Sequence, residues 1–209
     1  MNDNLSTYIG ERWKVPSRLE LKFEKMYLRL FLPRARNSTR GASKRYVGLR
    51  QGDAADSVEF IGMEVVRRDW TALAKQVQRE LYQRLFTDQA VDVYLAEVVR
   101  QVRNGELDDT LVYRKNLRKQ VEEYTATSPP HVVAARKSIQ PAGRLVSYLM
   151  TTAGPEPVGN VQHPIDREHY VWKQVRPVAQ PVLETLGLDF EQVIGDSRQI
   201  ELYSLFDRI

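Results

Sequence analysis

The spacing of apolar residues changes once along the chain, near Arg67, and this change predicts its secondary structure. Apolar and charged residues alternate over residues 19–32, a pattern typical of a strand with one solvated face. Residues 44–49 are short, aromatic and β-prone, so we expect them to form the partner strand of a hairpin. Residues 58–66 predict a third strand, with Gly62 at a bend.

Beyond that point apolar residues recur every three or four positions, as on one face of a helix. The first such helix follows Asp69, which we expect to be its N-cap, and a second helix ends at Asn104 and Gly105. The apolar positions that define the two helices are Trp70, Leu73, Val77, Leu81 and Leu85 in the first and Val91, Tyr94, Leu95, Val98 and Val102 in the second.

The remaining elements are shorter and complete the predicted fold. Residues 132–137 and 145–152 predict a helix and a strand, and the segment that follows the strand has loop composition. A last helix is predicted after Asp166 as its N-cap, and we expect Pro177 and Pro181 to bend or interrupt it. Together these elements predict an α+β fold, in which a small antiparallel sheet is followed by a mostly helical part.

Charge is unevenly distributed along the chain, although the net charge is only +4. Residues 34–50 contain six cations and no acid, and residues 111–137 contain six cations against Glu122 and Glu123. Residues 155–209, by contrast, contain nine acids and five cations. Clustered lysines and arginines suit a polyanion, because each cation that neutralises a phosphate releases a counterion. The alternative is a solvated charged face.

Composition excludes several classes of site and compartment. The chain has no cysteine, which excludes disulfides and thiolate metal sites, and no two of its three histidines have metal-ligand spacing. It contains no Gly-rich phosphate loop and no serine in a nucleophile setting, so an independent hydrolase site is not expected. No apolar run approaches the ~20 residues that span a bilayer, and the first residues lack the apolar region of a signal peptide. We therefore expect a cytoplasmic protein with no membrane partner.

Six segments, in this order, resemble the C-terminal end of family B DNA polymerases, most closely the bacterial members of that family. They extend from about Leu19 to Phe206 and read LELKFEK, KRYVGL, GMEVVRRDW, GELDDTLVYRKNLRK with EEY and PPHVVAARK, SYLMTTAGPEP, and PIDREHYVWKQVRPVAQPVL. The resemblance implies that residues 1–67 are the last part of the palm subdomain, which carries the active site. It implies further that residues 68–198 are the thumb, which grips the duplex product, and that residues 199–209 are a C-terminal tail.

The resemblance also implies which residues contact primer-template DNA. Lys44 and Tyr46 match a Lys-x-Tyr motif whose lysine reaches the minor groove near the primer end; the alternative is a surface lysine on an edge strand. Arg67, Arg68 and Asp69 match an Arg-Arg-Asp motif at the palm-thumb junction, which either contacts phosphates or only caps the first thumb helix. The residues that the resemblance places along the product duplex are Arg114, Lys115, Arg118, Tyr124, His131, Arg136 and Lys137.

His131 follows two prolines, and we expect it to hydrogen-bond a phosphate or the backbone rather than to act in catalysis.

The catalytic centre that the resemblance implies is not contained in this chain. Family B polymerases hold two Mg²⁺ ions on two aspartates, and neither aspartate motif is present. Glu24 aligns with a third family carboxylate near the metals; the alternative is a solvent-facing glutamate on a strand. We expect the chain to bind duplex DNA, to hold no cofactor by itself and not to polymerise alone. Mg²⁺ would belong to the intact polymerase, whose remainder is a candidate partner if the enzyme is naturally split.

Two further expectations concern partners. Residues 199–206 resemble a sliding-clamp-binding peptide, in which Gln199 would hydrogen-bond beside a pocket and apolar anchors would fill it. The alternative is that these anchors fold back on the thumb; they are Leu202, Leu205 and Phe206. A second overall interpretation is a stand-alone, non-catalytic DNA- or clamp-binding module that kept the polymerase thumb. Either interpretation predicts an association with the nucleoid.

Overall fold

Two antiparallel sheets and a group of helices make up the computed structural model of the chain, which describes residues 2–34, 44–50, 57–126, 128–139 and 143–195. The prediction of an α+β fold is confirmed. In the described residues the helices are α1 (Asn2–Trp13), α2 (Ala72–Phe86), α3 (Val91–Asn104), α4 (Pro130–Arg136), α5 (Arg167–Tyr170), α6 (Arg176–Leu186) and α7 (Phe190–Val193). None of these helices is long and apolar enough to cross a bilayer.

The first sheet is antiparallel, with β1 (Tyr27–Phe31), β2 (Tyr46–Arg50) and β3 (Ser57–Ile61) in the order β1-β2-β3. One of its faces packs on α2. There the rings of Phe31 and Phe60 lie edge-on to Tyr82, with centroid distances of 5.1 and 5.8 Å. This aromatic cluster joins the sheet to the main apolar core.

The predicted first strand is much shorter than its alternating pattern. Residues 19–26 form no strand, because on this side of the sheet β2 pairs with residues 27–31 and not with the residues before them. The third strand is also shorter than predicted, since it ends at Ile61, and Gly62 then takes a left-handed φ of +64°. A 3₁₀ turn over Glu64–Val66 replaces the rest of the predicted strand.

Glu64 lies at the joint between the first sheet and the helical part of the chain. Its buried carboxylate accepts hydrogen bonds from Arg45 and, at 2.9 Å, from Gln78 on α2. The side-chain oxygen of Gln78 in turn accepts from the backbone N–H of Val65 at 2.7 Å. The joint is therefore a polar network that links the segment before β2, the 3₁₀ turn and α2, and its bonds orient α2 against the sheet.

Helix α2 begins at a different N-cap from the predicted one. Thr71 is extended and accepts a hydrogen bond from the backbone N–H of Ala74 at 3.2 Å, whereas Asp69 pairs with Arg67. The hydroxyl and N–H of Thr71 also donate to the Gln174 side chain, at 2.9 and 3.2 Å. Two helices that are a hundred residues apart in sequence are fixed to each other through this cap.

Helix α3 ends as predicted. Gly105 has a φ of +81° and donates its N–H to carbonyls in the last turn, which is the usual left-handed helix stop. The core that α2 and α3 form with α6 includes Leu73, Val77, Leu81, Leu95, Val98, Val102, Val178, Val182 and Leu183. Trp70, the first apolar position of the predicted helix, lies before α2 and is only partly buried against this cluster.

A second antiparallel sheet lies within the part of the chain after Arg67. It contains β4 (Tyr113–Asn116), β5 (Leu145–Thr151) and β6 (Gly154–Pro157), in the order β4-β5-β6. Only β5 was predicted. The basic composition of β4 and the two prolines of β6 concealed them, although edge strands tolerate both charge and proline. Helix α4 packs on this sheet and forms a second apolar cluster with it.

The last helical run is continuous from α5 to α6. Asp166 caps α5 as predicted, accepting from the backbone N–H of His169 at 3.0 Å. The helix was predicted to be bent or interrupted at the prolines, and it is not interrupted at either of them. Pro177 lies in the first turn of α6, directly after a π-helical segment, Val171–Val175, and Pro181 is accommodated inside α6, which buries a long apolar face.

Candidate nucleic-acid interface

A groove of about 460 Å³ lies where the start of α2 meets β4 and β5. It brings together residues from three separate segments of sequence, and most of its charged side chains are cationic. The residues that line it are Arg68, Asp69, Lys75, Arg114, Lys115, Asn116 and Leu145. Three of the predicted DNA contacts therefore share one surface with Lys75, which was not predicted, because sequence alone does not reveal which face of α2 borders β4.

The single acidic side chain among these lining residues is already neutralised. Arg67 makes a two-pronged ion pair with Asp69, at 3.0 Å from Nε and 2.7 Å from Nη2. Hydrogen bonding from Arg67, with a smaller contribution from Lys115, holds the pKa of Asp69 below its usual value. The same pair raises the pKa of Arg67. The groove consequently presents net positive charge, and Arg68, rather than Arg67, borders it.

His131 lies beneath this basic surface rather than on it. The residue is only 6% exposed, and among the described residues its Nδ1 has no hydrogen-bond partner. Burial, and then the nearby charge of Lys115, lowers the pKa of His131, so the ring is neutral at pH 7. Tyr124 packs edge-on against it, with ring centroids 6.3 Å apart. His131 therefore adds no charge to the interface at neutral pH.

A second basic groove, of about 540 Å³, follows directly after β4. Tyr124 contacts two residues of this groove. The Tyr124 hydroxyl accepts a hydrogen bond from the backbone N–H of Arg118 at 3.0 Å, and the Lys119 ammonium lies 4.8 Å from the centroid of the Tyr124 ring. The residues lining this groove are Leu117, Arg118, Lys119, Gln120, Glu123, Gly143 and Arg144. Arg144 comes from the segment before β5, and sequence analysis missed it.

Arg136 mainly holds the loop that precedes α4. Its guanidinium donates to the hydroxyl of Ser128 at 2.7 Å and to the carbonyl oxygen of Tyr124 at 2.8 Å. These bonds fix the backbone on either side of the prolines while the side chain remains exposed. Arg136 is thus a cation at the surface whose donors are partly engaged within the chain.

Lys137 is held against a buried carboxylate. The Glu156 side chain is 4% exposed and accepts from the N–H groups of Gln162 and His163, at 2.8 and 3.1 Å. His163 Nδ1 lies 2.6 Å from the same carboxylate, and Lys137 Nζ lies 3.9 Å from it. The hydrogen bond from Gln162, opposed by burial and supported by His163, sets the pKa of Glu156 at about 2.

The two contacts predicted at the first sheet, Lys44 and Tyr46, line neither basic groove. Lys44 is exposed, and the Tyr46 ring lies edge-on to Tyr27 with centroids 5.9 Å apart. The Tyr27 hydroxyl donates to Glu59 at 2.5 Å, and Lys25 Nζ lies 2.6 Å from the same carboxylate.

Gly48 explains why Tyr27 can lie flat on this sheet. A Cβ at Gly48 would overlap the Tyr27 ring, so only glycine permits this packing. Sequence analysis missed Tyr27 and Glu59, although a glycine inside a predicted strand is a known sign of close approach. The lowered pKa of Glu59, caused first by Lys25 and then by Tyr27, keeps that carboxylate ionised.

The structure describes no candidate metal centre. Glu24 is exposed in the extended segment before β1, and the described residues contain no group of three carboxylates or histidines that could hold a metal ion. The predicted clamp-binding residues lie outside the described residues; they are Gln199, Leu202, Leu205 and Phe206.

Comparisons with known proteins agree with one another. A family model described as "DNA polymerase family B" matches residues 2–177. The chain is 40% identical over 191 residues to DNA polymerase II of Escherichia coli K12, which covers 86% of the chain and 24% of that protein. It is 31% identical over 207 residues to DNA polymerase 2 of Aeropyrum pernix, which covers 90% of the chain and 24% of that protein.

A solved structure, the family B DNA polymerase of Pyrobaculum calidifontis, matches 90% of the chain and 25% of its own length. Its TM-score is 0.61 at 27% identity. The chain therefore spans about a quarter of the length of each of these three relatives.

The Glu156 carboxylate provides a testable pH dependence. Because its pKa is about 2 in the folded chain against an ordinary 4.5, its ionised form stabilises the fold above about pH 5, and this contribution is lost as the pH falls towards 2. Glu156→Gln should lower the urea midpoint at pH 7. The difference in urea midpoint between parent and variant should narrow at pH 3, because the Glu156 carboxyl of the unfolded parent, with its ordinary pKa of 4.5, is then protonated while the folded one is still mostly ionised. Equal differences at pH 7 and pH 3 would contradict this assignment.

Proposed function

We propose, since the chain belongs to DNA polymerase family B, that it is the palm and thumb end of a DNA polymerase II and that it binds primer-template duplex. In this proposal residues 1–67 are the palm part and residues 68–198 the thumb, with residues 199–209 as a tail. The protein would act in DNA replication and repair, in the cytoplasm at the nucleoid.

The observation that carries the proposal is the convergence of cations at the groove beside β4. Side chains from the segment after the first sheet, from α2 and from β4 border one surface, where Asp69 is neutralised by Arg67. Lysine and arginine side chains at such a surface suit phosphate oxygens, which fix the position of a duplex without reading its sequence. The adjacent groove at Arg118 extends the same basic surface along the chain.

Residues at the first sheet would add further contacts to the DNA. We propose that Lys44 and Tyr46 approach the minor groove near the primer end, where every base pair presents hydrogen-bond acceptors. The packing of Tyr46 against Tyr27, over Gly48, supports this role because it restricts the ring before DNA arrives.

The salt dependence of DNA affinity tests the phosphate contacts. Replacing Lys115 and Arg118 with glutamine removes one cation from each groove. The magnitude of the slope of log K against log salt should fall by about 0.9 for each phosphate that is no longer neutralised. Fluorescence anisotropy with several duplexes of unrelated sequence should show the same decrease in affinity for all of them.

Arg18→Gln is the matched control, because Arg18 is an exposed cation that lines neither groove. The slope of log K against log salt measured for this variant should equal that of the parent. A decrease confined to particular sequences, or an unchanged slope in the double variant, would contradict the phosphate role.

The Mg²⁺ ions of a family B polymerase do not fit the described residues of this chain. The exposed Glu24 belongs to no group of three or more metal-binding side chains in the described residues, so the donor set that two metal ions need is missing there. We propose that the metal-binding aspartates belong to polymerase sequence outside this chain, with Glu24 as a third carboxylate near that site. No catalytic step follows from the present residues alone.

The chain alone should therefore bind a primed template without extending it. The purified protein is incubated with Mg²⁺, the four deoxynucleotides and a labelled primer-template, and the products are separated on a denaturing gel. The expected result is an unextended primer at protein concentrations that saturate binding. Any extension that survives purification to homogeneity would overturn this part of the proposal.

The alternative, a stand-alone binding module that kept the thumb, rests on the fact that both basic grooves are formed by residues of this chain. A coding sequence upstream or nearby that ends in the turn carrying the metal-binding aspartates would favour the interpretation as part of a polymerase. The absence of such a sequence from the genome would favour the stand-alone binding module.

The tail is proposed to bind a sliding clamp through Gln199 and its three apolar anchors. The alternative is that these anchors fold back on the thumb. To distinguish the two, the clamp of the source organism is titrated against the full chain and against a chain lacking residues 199–209. We expect binding only by the full chain. Equal affinities would reject the clamp peptide.

A further inference from the structure

A further groove, of about 590 Å³, lies along helix α2 where that helix faces Tyr94 of α3, and we call it the α2–α3 groove. Lys75 lines it and also borders the groove beside β4, so the two grooves meet at this side chain. None of its lining residues is among the DNA contacts that the sequence predicted. They are Ala72, Lys75, Gln76, Arg79, Glu80 and Tyr94. The α2–α3 groove therefore extends the basic surface in a direction that no motif indicates.

Two cations of α2 line this groove. Lys75 and Arg79 are four residues apart on a continuous helix, so their side chains lie on one side of it, about 6 Å apart along the axis. This separation is close to the distance between successive phosphates of one nucleic-acid strand. Neither side chain has an ion-pair partner in the part of the chain that the structure describes. Both charges are therefore available to an anionic ligand.

Glu80, the acidic side chain among the lining residues, is already paired. Its carboxylate lies 2.8 Å from the Arg84 guanidinium, which in turn lies 4.8 Å from the centroid of the Tyr94 ring. Arg84 thus compensates the charge of Glu80 and keeps that carboxylate away from a role as a ligand. The α2–α3 groove consequently has a net positive charge, as the groove beside β4 does.

Two neutral donors complete the lining. The Gln76 amide and the Tyr94 hydroxyl have no hydrogen-bond partner among the described residues. Burial, and then the charge of Glu80, raises the pKa of Tyr94 to about 12, so its hydroxyl remains a donor at neutral pH. Proteins hold unpaired strands in positively charged grooves that also contain aromatic side chains. A duplex has a convex surface with two backbones, so a concave groove of this kind suits one strand better.

We propose that the α2–α3 groove binds one unpaired strand of nucleic acid, which continues from the duplex surface across Lys75. Lys75 and Arg79 neutralise successive phosphates of this strand, and Gln76 and Tyr94 donate hydrogen bonds to it. The inference rests on the proposed function, because the duplex in the groove beside β4 determines where the unpaired strand begins. The chain then holds a junction between paired and unpaired DNA, whereas the other two grooves hold duplex alone.

Fluorescence anisotropy with matched DNA ligands tests the proposal. A blunt duplex is compared with the same duplex carrying about ten unpaired nucleotides, placed at each strand end in turn. Each phosphate neutralised on a single strand adds about 0.7 to the magnitude of the slope of log K against log salt. With two phosphates neutralised, the extension should steepen the slope by about 1.4 for at least one strand end.

Two variants separate the contributions of charge and hydrogen bonding. Arg79→Gln should remove about 0.7 of the increase in slope that the extension causes. Its slope with blunt duplex should equal that of the parent, because Arg79 lines neither of the other two grooves. Tyr94→Phe keeps the ring beside Arg84 and removes only the hydroxyl. It should lower the affinity for the extended duplex while leaving the slope unchanged.

Lys173→Gln is the matched control, because Lys173 is an exposed cation on another helical segment that lines none of the three grooves. It should match the parent with both ligands. An extension that changes neither affinity nor slope would overturn the proposal, as would a full increase in slope with Arg79→Gln. An equal increase when the extension is made double-stranded would also overturn it, because the groove would then accept duplex.

Failure of the proposed function gives a different result. A parent chain that binds a single-stranded oligonucleotide through Arg79 but binds no blunt duplex would overturn the proposed function and support the α2–α3 groove as a strand site. Binding of blunt duplex with no effect of the extension would support the proposed function and overturn this inference.

Discussion

The buried carboxylate of Glu64 is the point at which the first sheet and the helical part of the chain are joined. It accepts hydrogen bonds from Arg45, which directly precedes β2, and from Gln78 on α2, and the side-chain oxygen of Gln78 accepts a hydrogen bond from the backbone N–H of Val65. A buried charge of this kind is tolerated only while all its partners are in place, because each unsatisfied group would bear its desolvation cost alone. The joint therefore favours one orientation of α2, and with it the placement of Lys75 beside β4.

The orientation of α2 matters because the cations of the basic surface are distant from one another in sequence. Arg68 follows the joint, Lys75 is one turn into α2, and Lys115 belongs to an edge strand forty residues later. None of these cations forms a phosphate site alone. Their shared position depends on two connections, the polar network at Glu64 and the Thr71–Gln174 bonds. In the proposed function, a duplex at this surface is held through its phosphates, which carry no sequence information directly.

The sequence predicted the fold class and many of the long elements, because their apolar periodicity is strong. Helices α2 and α3, strand β5 and the Asp166 cap are where the pattern places them. It erred where local signals compete. Asp69 is a good cap by type, but Arg67 engages it, and Thr71 caps the helix instead. Residues 19–26 have the alternation of a strand and lack a neighbour.

The candidate site was predictable in part for the same reason. Arg68, Arg114 and Lys115 could be identified from family motifs and do share a groove, whereas Lys75 and Arg144 could not, since their relevance depends on which elements become neighbours. His131 illustrates the opposite case. Its motif was visible, but only the packing reveals a buried, neutral ring with an unpartnered nitrogen.

The π-helical segment Val171–Val175 has a consequence for how this chain tolerates changes in length. One extra residue in that turn offsets everything after it by about 100° around the helix axis. Gln174 reaches Thr71, and the apolar face of α6 reaches the core, only in this phase. Deleting a single residue there would give a more regular helix and a misaligned protein. Natural variation in this region is thus expected to occur by substitution, with the number of residues between Tyr170 and Val178 kept constant.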